Sequence, residues 1–120
     1  MATLDRSLDT GAWVEAGPLS IRTERDPDEL YVIEFYGEFD LSGAELATAE
    51  LERVQRSDVE EIIIDLSGLD FIDSTGLAIL CRAYRREREG ANRAVFLRAD
   101  GQVQRVFDLT CLSSALPFAD

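Results

Sequence analysis

The segment Ile62-Ile63-Ile64-Asp65-Leu66-Ser67-Gly68-Leu69-Asp70-Phe71-Ile72-Asp73-Ser74-Thr75-Gly76-Leu77 concentrates side chains that could do chemistry. Asp65, Asp70 and Asp73 could serve a small carboxylate enzyme as general acid and base, given a pocket that shifts their pKa values. Ser74 and Thr75 stand where a helix should begin. A hydroxyl there can accept a hydrogen bond from an unpaired N–H of the first turn. It can equally carry a phosphoryl group, because the same N–H groups and the positive end of the helix dipole favour an anion. On residue type alone, capping accounts for Ser74 better than modification does. Gly76 asks for a further reason, since glycine in a helix costs about 1 kcal/mol against alanine. We expect it to bare the backbone beside Ser74 and Thr75, so that another protein's active site can approach.

Composition narrows the chemistry. Among the 120 residues there is no His and no Lys. That removes Ser-His and Cys-His nucleophile pairs, His metal sites, Lys Schiff bases and the P-loop lysine. It also counts against Asp65 as the phosphoacceptor of a response-regulator receiver, which needs a Lys after the last strand; a strand-end carboxylate is commonly a turn former. Carboxylate catalysis stays possible, but a non-enzymatic role is expected, with no cofactor and no metal. The net charge of −12 repels phosphate backbones, so no direct nucleic-acid binding is expected. Cys81 and Cys111 are too few and too far apart for a disulfide framework or a zinc motif, and both read as buried small hydrophobes in a reducing compartment. No apolar run is long enough to span a bilayer, and Met1 to Gly17 has no apolar core of a secretory signal. The expected setting is the cytoplasm, away from membranes.

The elements that must position this segment can be read from periodicity. Ile62-Ile63-Ile64 predicts a central strand buried on both faces, ending at Asp65 in a polar loop that runs to Asp73. The helix beyond it carries Leu77, Leu80, Cys81 and Tyr84 on one face. Arg82, Arg85, Arg86 and Arg88 crowd its far side as a solvated face, and Gly90 stops it. Upstream, Leu19, Ile21 and Thr23 alternate with polar residues, Arg25 to Glu29 turns, and Leu30 to Phe39 returns as a second strand. Ala44, Ala47, Leu51 and Val54 form the stripe of a first helix. Downstream come a strand at Ala94 to Leu97, a short helix marked by Val103, Val106 and Phe107, and an edge segment at Leu116-Pro117-Phe118. The fold class is α/β: a single mixed β-sheet of four to five strands with helices packed on it and right-handed crossovers. Residues 1–17 read as a loose N-terminal arm, pinned at most by Trp13 and Val14, and 18–120 as one domain.

Two motifs and the tail carry a resemblance. Asp65-Leu66-Ser67 followed by Phe71-Ile72-Asp73-Ser74-Thr75-Gly76-Leu77 resembles the signature of the STAS family (sulfate transporter and anti-sigma factor antagonist domains). Gly37-Glu38-Phe39-Asp40 is similar to that family's Gly-Glu-apolar-Asp motif, and Val103 to Leu112 with Leu116-Pro117-Phe118 to its tail. The resemblance covers roughly residues 18–118 and implies a mechanism. In stand-alone anti-anti-sigma members, a partner anti-sigma factor that is a serine kinase uses its own bound ATP to phosphorylate the Ser after the motif Asp. Here that is Ser74, with Asp40, Asp73, Thr75 and Gly76 as further partner-binding residues. The unmodified form would hold the anti-sigma factor and free sigma, the phosphorylated form would let go, and a serine phosphatase would reset it.

Alternatives remain open on these residues. Thr75 is a competing phosphoacceptor, and Asp40 suits helix capping as well as recognition. Ala78 stands where many members have a second Gly, and Cys111 where a Gly commonly ends the third helix, which bears on partner fit. The chain could instead be a STAS scaffold or accessory module, such as a stressosome subunit or a cytoplasmic lipid-transport component without sigma control.

Overall fold

The computed structural model describes residues 12–26, 30–89, 92–110 and 116–119, with side chains of 87–89 excepted. Strand β1 (Ala12–Ala16) leads into β2 (Leu19–Asp26) and β3 (Leu30–Phe39). A 3-10 turn, Leu41–Gly43, opens helix α1 (Ala44–Gln55), which is followed by β4 (Glu61–Ile72) and helix α2 (Ser74–Glu89). Then come β5 (Arg93–Leu97), helix α3 (Gly101–Leu109) and β6 (Phe118–Ala119). The strands form one sheet in the order β1-β2-β3-β4-β5-β6. The first three pair antiparallel and the rest parallel, so the sheet is mixed, as expected.

The sheet has 6 strands where four to five were expected. The extra one is β1, formed by the last residues of the stretch read as a loose arm. Gly17 and Pro18, which looked like breakers, make the tight turn of a hairpin: Gly17 takes φ 59 and Ala16 pairs with Leu19. Val14 packs against the core from the same face as Ile21, its partner in register. Residues 1–11, Gly90 and Cys111 lie outside the described residues.

A second difference concerns β4, which does not end at Asp65 but runs on to Ile72. Its polar residues are absorbed by two irregularities against β3, where Tyr36 pairs with Gly68 after Glu34 with Asp65, and Glu38 with Phe71 after Gly37 with Leu69. Each step takes one more residue of β4 than of β3, which is how a bulge admits residues that simple alternation would misplace. Gly68 passes directly over the Tyr36 ring, where a side chain would collide.

Burial follows one face. Ile21, Ile33, Phe35, Ile62, Ile64, Leu66, Leu69, Ala94 and Phe96 are buried, and the buried residues of all three helices join the same cluster. Full burial of each large apolar side chain is worth roughly 1.5–3 kcal/mol. Because the helices meet one face only, Ile63 is half-buried rather than buried on both sides. Phe118 tilts against Phe96 and meets Phe107 edge-on, with centroids 5.8 and 5.4 Å away, which fastens the short β6.

Polar contacts hold the helices in place. Gln55 Nε2 donates to the Ala83 carbonyl at 2.8 Å and Arg86 Nε donates to Gln55 Oε1 at 3.1 Å, joining α1 to α2. Buried Asn92 donates through Nδ2 to the carbonyls of Val59 (2.8 Å) and Ser57 (3.3 Å). Buried Thr23 donates to Glu50 Oε2 at 2.8 Å, and Arg53 donates to both Glu50 oxygens at 3.0 Å. The Arg53 hydrogen bonds, with help from Thr23, outweigh desolvation and hold the Glu50 carboxyl below its usual range.

A depressed folded-state pKa means that this contribution is complete above the ordinary glutamate value of about 4.3 and is lost as pH falls through the folded value. Acidification below about pH 4.3 should therefore cost wild type more stability than Glu50→Gln. Urea midpoints measured across that range check this, and identical pH dependence in the two proteins would remove Glu50 from the account.

Candidate functional site

The parallel ladder of β3 and β4 ends at the pair Phe39 and Ile72, and Asp73 N donates to the Phe39 carbonyl at 3.2 Å. The turn after β3 and the start of α2 therefore lie side by side at the C-terminal ends of the two central strands. Asp40 begins the first of these. Its Oδ1 accepts from Ser42 N at 3.0 Å and from Ser42 Oγ at 2.6 Å, capping the 3-10 turn. Asp65 closes on Ser67 in the same way, at 2.9 and 2.7 Å. The tripeptide Asp-Leu-Ser occurs twice and makes the same pair of side-chain hydrogen bonds twice, once before a 3-10 turn and once within β4. Asp65 thus shapes a bulge within β4 instead of a strand end.

Asp73, not Ser74, caps α2. Its Oδ1 accepts from Gly76 N at 3.0 Å and its carbonyl from Leu77 N at 3.0 Å. The capping role that residue type alone favoured for Ser74 belongs to its neighbour, because the Asp73 N to Phe39 carbonyl bond delivers Asp73, not Ser74, to the position before the first helical residue. Ser74 is the first helical residue and exposed, and its hydroxyl bonds to no described residue. Thr75 is half-buried. It lines an open groove of about 340 Å³ between α1 and α2, shared with Ala44, Glu45, Glu52, Ile79 and Arg82.

Gly76 departs from expectation. It is buried, and its bare Cα faces inward rather than toward a visitor. A Cβ there would stand 2.8 Å from Ile72 Cγ1, 3.0 Å from Phe39 Cγ and 3.1 Å from the Phe39 carbonyl oxygen. The glycine lets α2 start hard against the ends of β3 and β4.

The surroundings of Ser74 are acidic. Glu38 and Asp70 are exposed, Asp40 and Asp73 half-buried, and none of the described ion pairs involves them. The three carboxylates weighed for catalysis are placed apart in role: Asp65 and Asp73 each accept from nearby backbone N–H groups, and Asp70 lines a groove with Phe71, Ile72, Gln102, Val103 and Val106. Among the described residues no His, Cys, Asp or Glu group could hold a metal ion. Cys81 is half-buried rather than buried as expected, and desolvation pushes its thiol up. Arg82 and Arg85 are exposed, whereas Arg86 is half-buried on Gln55. Two apolar residues not singled out for function, Leu41 and Phe71, are exposed in this same layer. Their sequence signal is an apolar residue wedged among acidic ones at a strand end.

Comparison with known proteins adds the family context. The model of the STAS domain matches residues 20–120. The chain is similar to the anti-sigma-B factor antagonist of Listeria monocytogenes, 29% identical over 93 residues, covering 78% of this chain and 81% of that protein. It is 24% identical over 90 residues to the anti-sigma F factor antagonist of Paenibacillus polymyxa, covering 74% and 77%. Among solved structures, an anti-sigma factor antagonist from Mycobacterium paratuberculosis matches with a TM-score of 0.74 at 25% identity, covering 88% of this chain and 89% of that one. The Bacillus cell fate determinant SpoIIAA in its phosphorylated form matches with a TM-score of 0.64 at 25% identity, covering 83% and 91%.

The packing of Gly76 decides the sign of a substitution that helix propensity alone would get wrong. Alanine should gain about 1 kcal/mol from propensity and lose roughly 2–3 kcal/mol from overpacking against the Phe39 backbone and ring. Gly76→Ala is expected to be destabilised by about 1–2 kcal/mol in urea titration. A stabilised variant would show that the helix start has room to move.

Proposed function

The chain belongs to the STAS domain family, and on that premise we propose that it is an anti-sigma factor antagonist switched by phosphorylation of Ser74. The observation that carries this reading is the division of labour at the start of α2. Asp73 caps the helix, so the exposed Ser74 hydroxyl is spared that duty and accessible to a kinase active site. Thr75, half-buried against the α1–α2 groove, is the poorer acceptor. The relatives named as anti-sigma factor antagonists, and the phosphorylated form of one structural neighbour, support the same reading.

In this mechanism the unmodified protein binds an anti-sigma factor that is itself a serine kinase, and sigma is set free. The kinase supplies ATP, and this chain supplies only the acceptor oxygen and the surface that presents it. Its role is binding, not catalysis, and its setting is the cytoplasm. Phosphorylation replaces the hydroxyl hydrogen with a group carrying about −1.5 to −2 charges. The helix tolerates that group, because its N-terminus is electropositive. The docking surface does not. At ~6 Å and an effective dielectric of 20 to 40, repulsion from each carboxylate is roughly 1–3 kcal/mol per unit charge, and solvent exposure trims it further. With Asp40 and Asp73 adjacent, and a dianion to desolvate in the contact, affinity should fall by ~10–100-fold. A serine phosphatase then restores the docking form.

The test uses the anti-sigma kinases of the same organism, purified and supplied with ATP. One of them should label wild type and leave Ser74→Ala unlabelled, with mass spectrometry placing the phosphate on Ser74. Ser74→Asp should bind that kinase ~10-fold or more weakly than Ser74→Ala. Label on Thr75 instead would move the site, and equal affinities of the two Ser74 variants would favour a scaffold role.

A further inference from the structure

The site has a second component besides charge. Leu41 is 73% exposed and Phe71 47% exposed, and both sit in the strand-end layer that holds Ser74. Phe71 pairs in register with Glu38, next to the Phe39–Ile72 pair that receives Asp73, and Leu41 follows Asp40 directly. The fold does not require an apolar side chain at 41, and at 71 it leaves about half of the ring uncovered. Both Asp-Leu-Ser tripeptides make the same Asp–Ser hydrogen bonds, yet Leu66 is 0% exposed in the core while Leu41 faces solvent. The turn at Asp40 closes through Asp40 and Ser42 alone, so a polar residue would serve equally at 41. At Phe71 the irregular register leaves Asp70 and Phe71 both exposed between buried Leu69 and Ile72.

Resting on the function proposed above, we infer that Leu41 and Phe71 are the apolar anchors of the anti-sigma contact, and that they seat in recesses of a partner surface whose rim is cationic. The charge of the rim chooses the occupant. Glu38, Asp40, Asp70 and Asp73 surround the anchors, and none takes part in a described ion pair. A second copy of this chain, itself at −12, would bring like charge against like, and a nucleic acid would do the same. A face rich in Arg or Lys satisfies the rim and leaves the anchors to be desolvated. Anchors of this kind govern how long a complex lasts, while rim charges govern how fast it forms. Ser74 then lies in a contact that excludes water around it, which strengthens the effect of its phosphate.

The test is a binding-kinetics series against the same purified anti-sigma kinases, each loaded with ADP. Leu41→Ser and Phe71→Ser should each raise koff ~10-fold or more with little change in kon. Phe71→Leu should recover most of the loss, and Leu109→Ser, on an exposed residue of α3 outside this layer, should stay within ~2-fold. Asp40→Asn and Asp70→Asn should lower kon, and kon of wild type should fall steeply between about 50 and 500 mM salt. Urea midpoints of the variants separate lost contact from lost folding, with Leu41→Ser expected to match wild type. Normal affinity of both anchor variants, or a kon indifferent to salt, overturns the inference. If wild type binds and Ser74→Asp is released but the anchors prove silent, the switch stands and only the anchors fall. If wild type binds no such kinase, both fall together.

Discussion

One hydrogen bond fixes the geometry of the candidate site: Asp73 N to the Phe39 carbonyl, at 3.2 Å. It carries the parallel pairing of β3 and β4 one residue beyond the strands, so that the chain leaves β4 and enters α2 at a height fixed by β3. The turn that follows Phe39 is thereby held beside the first residue of α2. Gly76 completes the arrangement, because a side chain at that point would drive α2 away from Phe39 and Ile72. Asp40 and Ser74, far apart in the chain, become neighbours through backbone geometry and need no contact of their own.

Around that bond, each polar group has one task. The carboxylate of Asp73 accepts from Gly76 N, and that of Asp40 accepts from Ser42. Ser74, which could have capped the helix, has been relieved of it. Had Ser74 been the cap, phosphorylating it would also have removed a bond worth about 1 kcal/mol to the helix. With the cap one residue earlier, the hydroxyl can change its charge while the helix keeps its start. The joint between Gln55, Ala83 and Arg86 holds the body of α2 against α1.

Much of this was legible in the sequence, and what was not has a common cause. Periodicity located α1 through Ala47, Leu51 and Val54, α2 through Leu77 and Leu80, and the hairpin of β2 and β3. Those signals are local, since each element's own spacing declares its buried face. The misreadings are places where a partner element decides. Asp65 to Ile72 looks like a loop because its polar residues break alternation, yet β3 keeps pairing with it by skipping residues. Ala12 to Ala16 looks like an arm because only the turn at Gly17 lays it against β2. Gly76 suggested access when its real constraint was Phe39, a residue remote in sequence. Asp40, Asp73, Ser74 and Thr75 stand together where β3 ends and α2 begins, but which of them caps could not be read from type alone. Serine and aspartate are near-equal caps, and the choice falls to how the strand delivers the helix.

The placement of Ser74 also determines what kind of switch the proposed phosphorylation can be. A phosphate at the first residue of a helix sits at its electropositive end, so the fold has no reason to rearrange. A group that leaves its own protein undisturbed can act only on whatever touches it from outside. The acidic rim and the exposed Leu41 and Phe71 make that outside contact dependent on two things at once, a cationic counterpart and a dry centre. Added negative charge would suit a cationic counterpart and so, by charge alone, could strengthen docking. Release therefore has to come from the cost of drying a dianion and from its crowding against Asp40 and Asp73, both of which grow as water is excluded. The more closely the apolar anchors seat, the larger the penalty a single phosphate imposes, so the surface that makes the complex durable is also what makes it releasable.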